Sequence, residues 1–187
     1  MVLLVTIILF LVSLMVLAIS AMGIYLLISS SFQKYAPPVR SSGRLKQTIL
    51  AELTQQLEKS PNGQQIIDLG SGWGTLLLPL AKQFPQHQFI GLERAFTPFH
   101  ISCFRARKRA NLRFLKEDFF GYDLGQTNVV VMFLIGFMMP KVTEKCLKEL
   151  PKGAKVYAVR FPLTGVEPSK IVDLGNKMEK IYIYEIS

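Results

Sequence analysis

The sequence predicts an α/β domain, a parallel sheet with helices on both faces and an antiparallel C-terminal hairpin, preceded by one N-terminal transmembrane helix. Three observations predict it. All 22 basic and 13 acidic residues of the 187 fall from Lys34 onward, so the first 33 residues are uncharged and nearly all apolar. From residue 64, apolar runs of strand length alternate with helical stretches and are punctuated by Gly and Pro. Two β-rich runs flank Gly175-Asn176 near the C-terminus. The length allows one ordinary domain with an appendage. The composition excludes disorder, a disulfide scaffold and a polytopic membrane protein. The expected organisation is an anchor over 1–32, a linker and pre-domain helix over 33–63, and the α/β domain over 64–187.

Val2–Ile28 carries only Thr6, Ser13, Ser20 and Tyr25 as polar side chains. As a helix it reaches roughly 40 Å, more than the hydrocarbon thickness of a bilayer. A cleaved signal peptide would show a basic flank ahead of a shorter apolar run, so the segment is expected to stay as an anchor. Lys34, Arg40, Arg44 and Lys46 precede the first acid, Glu52. The positive-inside rule then sets the globular domain on the cytoplasmic side of a single-pass protein.

Residues 33–43 read as a linker stiffened by Pro37-Pro38. Ser41 or Ser42 can cap a helix from Gly43 to Lys59, with Leu45, Ile49, Leu50, Leu53 and Leu57 along one face. Pro61-Asn62-Gly63 makes a turn. Strands follow at Gln65–Leu69, Gln88–Leu92, Leu112–Lys116, Asn128–Ile135 and Ala154–Phe161. Helices are expected at Thr75–Phe84, from Thr97-Pro98 to Ala110, and at Lys141–Leu150. These make five βα repeats, and Ile171–Leu174 with Glu179–Ile186 form the closing hairpin. Cys103, Cys146, His87 and His100 show no metal-ligand spacing, so no metal site is expected. The cysteines read as small buried residues.

Asp68-Leu69-Gly70-Ser71-Gly72-Trp73-Gly74 falls where the first strand meets the first helix of the domain. Glycines there allow a tight turn and close approach to a ligand, and the helix N-terminus adds amide donors. Thr75 departs from the dinucleotide fingerprint, and no Gly-Lys-Ser/Thr follows for a phosphate loop. The spacing D-x-G-x-G-x-G resembles that of S-adenosylmethionine-binding class I methyltransferases, whose sheet is Rossmann-like. That resemblance implies S-adenosyl-L-methionine as cofactor. It implies that Asp68, Gly70, Ser71, Gly72 and Gly74 border the cofactor and that Glu93, ending the second strand, accepts from the ribose hydroxyls. Asp118, after the third strand, would accept from the adenine amino group, with Phe119 beside the ring.

The chain is more specifically similar to the membrane-anchored protein-lysine methyltransferases that modify the ATP synthase c subunit and the adenine nucleotide translocase. Tyr35-Ala36-Pro37-Pro38, the glycine motif, Asn128-Val129-Val130-Val131, Met138-Met139 and Ala158-Val159-Arg160-Phe161-Pro162 carry that similarity. It departs at Trp73-Gly74-Thr75, where that family carries Asp followed by Gly-Arg. An acidic contact at the methionine end of the cofactor is therefore absent or supplied elsewhere. The resemblance implies a lysine acceptor in a membrane-associated protein and the bilayer itself as partner.

A lysine amine must lose its proton before it attacks, which at pH 7 costs about 4–5 kcal/mol. Desolvation in an aromatic channel lowers that cost. Tyr35, Phe137, Met138, Met139 and Phe161 are the candidate lining residues, and no residue is assigned as catalytic base. Gly136-Phe137-Met138-Met139 replaces the Asn/Asp-Pro-Pro-Tyr of many nitrogen methyltransferases, and neither cysteine has the setting of a cytosine-carbon methyltransferase. Arg105-Ala106-Arg107-Lys108-Arg109, with Arg113 and Lys116, reads as a solvated helix face or as a surface drawn to anionic lipid. Nucleic acid is not expected, because no aromatic platform interleaves the run. Two other functions fit the sequence: methylation of a lipid or small amphiphile, and a non-catalytic membrane-bound binding module.

Overall fold

The computed structural model describes residues 2–32, 43–176 and 178–187. The chain divides into two units, Met1–Pro37 and Pro38–Ser187. The expected linker, the Ser41/Ser42 cap and Tyr35 lie outside the described residues. In the first unit α1 (Val2–Phe32) is one helix, and its stretch Leu3–Tyr25 has a mean hydropathy of 3.0, long and apolar enough to cross a bilayer. Its side chains are apolar around the whole circumference, which suits a lipid surround rather than one-sided packing. The hydroxyl of Ser13 donates to Phe10 O at 2.7 Å, so that polar group is satisfied inside the helix.

The second unit contains α2 (Gly43–Glu58), β1 (Gln65–Leu69), α3 (Leu77–Gln83), β2 (Gln88–Leu92), α4 (Phe96–Ala106), β3 (Leu112–Leu115), β4 (Val129–Met132), α5 (Met139–Glu149), β5 (Lys155–Val159), β6 (Lys170–Asp173) and β7 (Lys180–Glu185). A single 3₁₀ turn, Gly136–Met138, leads into α5. The sheet runs β3-β2-β1-β4-β5-β7-β6. β1 to β5 are parallel, and β7 pairs antiparallel with both β5 and β6. The strand order reverses at β1, the centre of the sheet, and ligands of open α/β sheets bind beyond the strand ends at such a point.

One face of the sheet buries Leu45, Ile49, Leu53 and Leu57 of α2 with Leu77 and Leu80 of α3, against Ile66, Phe89 and Val129. The pre-domain helix is therefore part of the core. Between β3 and β4, and between β5 and β6, the chain crosses without an α-helix, so only three of the five expected βα repeats form. Phe119 and Leu124 from the first crossover and Leu163 from the second cover the other face beside Val142 and Cys146 of α5. The first crossover is held by Lys145, whose buried ammonium donates to Tyr122 O at 2.6 Å and to the Glu149 carboxylate at 2.6 Å.

Several elements are shorter than their apolar runs. α3 begins only after the chain has turned at Gly74, and Pro79 falls in its first turn, where no amide is needed. α4 stops at Ala106, whose carbonyl accepts from Arg109 N at 2.8 Å, so Arg107 and Lys108 lie in the turn beyond it. β4 ends at Met132, where its pairing with Leu69, the last residue of β1, and with Ala158 of β5 runs out. Phe133, Leu134 and Ile135 then leave the sheet, and Leu134 folds under Gly70. β5 ends at Val159, and Arg160 after it adopts φ 76°. That left-handed conformation costs about 1–3 kcal/mol and is held by Arg160 N donating to Lys180 O at 2.7 Å.

The edge of the sheet under the glycine loop is filled by Phe114 of β3. A methyl group at Gly91 would sit 2.4 Å from this ring and 2.7 Å from Ser71 Oγ, and one at Gly74 would sit 2.4 Å from the ring. Gly91→Ala is thus an overpacking change in a dense core, and we expect it to lower unfolding free energy by about 1–3 kcal/mol. Chemical denaturation of the full chain in detergent reads this, and an unchanged midpoint would mean that Phe114 moves freely aside.

Candidate functional site

The loop after β1 turns through Gly70, Gly72 and Gly74 at φ 80°, 53° and 69°, conformations that L side chains rarely adopt. Gly70 N and Ser71 N both donate to Leu92 O at 2.9 Å, which hooks the loop over the end of β2. Gly72 N donates to Glu93 Oε2 at 2.8 Å, and Ala95 N to Glu93 Oε1 at 2.6 Å. The Glu93 carboxylate therefore clamps the loop and the start of α4 together. Each oxygen keeps a lone pair for a further donor.

Asp68, the last residue but one of β1, is buried in this corner. Among the described residues no hydrogen bond reaches its carboxylate, and burial, with the Glu93 charge in addition, pushes its pKa up to about 7. The Oγ of Ser71 is also buried without a partner. A corner with two acids, a buried hydroxyl and an amide-rich glycine turn suits a ligand carrying both cationic and hydroxyl groups.

Beyond β3, Asp118 is exposed. Its Oδ1 accepts from Phe120 N at 3.0 Å, and Oδ2 is 3.7 Å from Arg94 Nη1. That pair is half solvated and contributes little. Phe119 is buried in the core, with its ring 4.5 Å from that of Phe120. Beyond β4 and β5, Phe137 is 71% exposed, Met138 and Phe161 are half-buried and Met139 is buried. Gly136 leaves room for the Phe161 ring, 3.3 Å from where its Cβ would be. The structure thus gathers Asp68, Gly70, Ser71, Gly72, Gly74 and Glu93 in one corner, sets Asp118 at the end of β3, and puts Phe137, Met138 and Phe161 on the far side of the switch point. Sequence reasoning missed Gly91, Phe114 and Leu134, which shape the corner from outside the motif. A glycine inside a strand, as at 91, is a signal of close approach that could have found the first two.

The reversed strand order, the glycine turn after β1 and the acid ending β2 define a class I S-adenosylmethionine-dependent methyltransferase. Residues 68–170 match the family described as the ANTKMT methyltransferase domain, and the chain belongs to that family. A protein-lysine N-methyltransferase of Saccharolobus islandicus (strain REY15A) is 27% identical over 138 residues, 70% of this chain and 84% of its own. The lysine N-methyltransferase of the ATP synthase c subunit from Xenopus laevis is 29% identical over 124 residues, 65% of this chain and 53% of its own, so the chain spans about half of that relative. Among solved structures, an RNA methyltransferase from Salinibacter ruber in complex with S-adenosyl-L-homocysteine superposes with a TM-score of 0.69 at 21% identity. The match covers 79% of this chain and 94% of that one, a likeness of fold.

Because the Asp68 carboxyl is raised from 3.8 to about 7, the folded state holds a proton that the unfolded chain releases. This contribution to stability is complete below pH 4 and is lost as pH rises through 7, at up to about 1.4 kcal/mol per pH unit. Asp68→Asn should remove that slope and be the more stable protein at pH 8 by a few kcal/mol. Unfolding measured at pH 5 and pH 8 checks it. A gap between the two proteins that does not widen with pH contradicts the buried, unpaired carboxylate.

Proposed function

We propose that the chain is a membrane-anchored methyltransferase that transfers a methyl group from S-adenosylmethionine to a lysine of a membrane-associated protein. The observation that carries the reading is the built corner of Asp68, the glycine turn and Glu93 in a chain whose family match begins at Asp68. Lysine as acceptor is supported by the archaeal and amphibian relatives, both lysine N-methyltransferases.

The cofactor supplies an electrophilic methyl on a sulfonium. In this reading the chain's own residues bind and orient. The unpaired Asp68 carboxylate, with Glu93 beside it, favours the positive charge of the cofactor, and Glu93 accepts from the ribose hydroxyls with the lone pairs its two amide bonds leave. Asp118 accepts from the adenine amino group, and the buried Phe119 supports the wall beside the ring. Phe137, Met138 and Phe161 line the acceptor's approach, excluding water so that the arriving amine gives up its proton to solvent at lower cost. Methyl transfer needs an in-line arrangement, so positioning is most of the catalytic task.

Ionised Asp68 attracts the cationic cofactor and protonated Asp68 does not. Affinity for S-adenosylmethionine should therefore fall as pH drops below about 7, and Asp68→Asn should flatten that dependence. Calorimetry of the full chain in detergent at pH 6 and pH 8 decides this, and equal affinities at both values would remove Asp68 from the site. Glu93→Ala should weaken S-adenosylhomocysteine by about 2–3 kcal/mol, roughly 30- to 150-fold, while Arg107→Ala changes nothing. If the unaltered chain does not bind S-adenosylhomocysteine, the enzyme reading fails.

The apolar α1 and the basic residues Lys34, Arg40, Arg44 and Lys46 support a single-pass anchor with the catalytic unit in the cytoplasm, where the methyl donor is made. Protease added outside intact cells should spare the unit beyond Lys34, and its digestion would reverse the topology. Labelled methyl groups should appear in the membrane protein fraction, and mass spectrometry of that fraction with and without the chain identifies the lysine. Label confined to the lipid fraction would instead make the acceptor a lipid.

A further inference from the structure

α4 turns an unusual surface to solvent. Its buried side is Phe99, Ser102, Cys103 and Ala106. On the opposite arc Phe104 is 67% exposed and Ile101 40%, and at the N-terminal end of the helix Phe96 is 62% exposed. Between Glu93 and Glu117 the chain has no acid, but it has Arg94, Arg105, Arg107, Lys108, Arg109, Arg113 and Lys116. The two chemistries interleave: Arg107 stacks 3.9 Å over the Phe104 ring and Lys116 4.8 Å over the Phe96 ring. Arg105 Nη1 donates to Trp73 O at 3.0 Å, which joins the half-exposed indole of the glycine loop to the same surface. Leu78, Phe104, Arg105, Arg107, Lys108 and Arg109 line a cleft of about 540 Å³, and the Nε of Arg109 is buried without a partner.

A basic run that is merely solvated leaves its apolar residues inside the fold. Here two of the three phenylalanine rings of the helix, Phe96 and Phe104, are exposed among cations, the composition of an interfacial helix on an anionic membrane. We propose that the α4 face and Trp73 dock on the surface of an anionic bilayer. Phe96, Phe104 and Trp73 would enter the headgroup boundary, with the basic side chains among lipid phosphates. Charge complementarity selects this occupant, because no acid lies between Glu93 and Glu117 and a second copy would bring like charge to the basic run. The inference rests on the membrane-associated reading above and adds to it an orientation: the glycine loop faces the bilayer, so the site works on an acceptor close to the membrane surface.

Trp73 is the sole tryptophan of the chain and reports on this face directly. The full chain is reconstituted in vesicles of phosphatidylcholine alone or of phosphatidylcholine with phosphatidylglycerol, with bromine carried near the headgroup end of the acyl chains. In the anionic vesicles Trp73 emission should shift to the blue and be quenched by the bromine, and added salt should reverse both. A variant with Phe104→Ser, Arg107→Glu and Lys108→Glu should lose the quenching, yet still float with the vesicles and bind S-adenosylhomocysteine. Floating protein whose Trp73 is unquenched, or equal quenching in the variant, overturns the docking while the anchor stands. Shielding of Trp73 that grows with protein-to-lipid ratio instead assigns the face to a second copy and also overturns it. Protein that does not float removes both anchor and docking, and loss of S-adenosylhomocysteine binding in the unaltered chain removes the enzyme reading alone.

Discussion

The ring of Phe114 sets the height at which the glycine loop crosses the sheet. It occupies the volume that side chains at 74 and 91 would take, so the loop descends far enough for Gly72 N to meet the Glu93 carboxylate. Every other feature of the corner follows from that descent. Gly70 N and Ser71 N reach the last carbonyl of β2, and Leu134 tucks beneath Gly70 as the chain leaves β4. The acid that ends β2 is thus both a clamp on the protein and an acceptor open to ligand.

The corner also sets a second acid, Asp68, beside Glu93, whose own carboxylate accepts from two amides. Asp68 has burial and a neighbouring acid against it and, among the described residues, no hydrogen bond in its favour. Such an arrangement destabilises the fold above neutral pH, the kind of cost that perturbed acids at functional sites carry. By contrast, the buried Lys145 ammonium is answered by the half-buried Glu149 carboxylate and by Tyr122 O, all supplied by the chain.

The alternation of apolar runs with Gly and Pro placed every strand within a few residues and located the glycine turn, because strand-length runs and turn chemistry are local properties. Helix and strand ends were less legible. The run from Val129 to Ile135 is apolar throughout, but it stops being a strand where its pairing with Leu69 and Ala158 ends, a fact written in other parts of the chain. The two crossovers lacking helices could not be counted from local pattern, since Phe119 and Leu163 cover the sheet as loop residues. Trp73, read as a departure from the family motif, and the basic run after it were separate features in sequence, and only the Arg105 bond and the outward turn of Phe104 join them.

β1 pairs with β2 on one side and with β4 on the other, and Ile66 meets Val129 with α3, β2, α4 and β3 between them in the chain. The corner at the end of β1 needs both neighbours, because Glu93 follows the first and Leu134 the second. It is therefore absent from any nascent chain whose β4 has not left the ribosome, and it forms together with the central, slow-forming non-local pairing of the sheet. Cofactor binding then adds its free energy to a single cooperative transition rather than to a local hinge, and the cell's methyl-donor concentration becomes a term in the folding equilibrium of the whole catalytic unit.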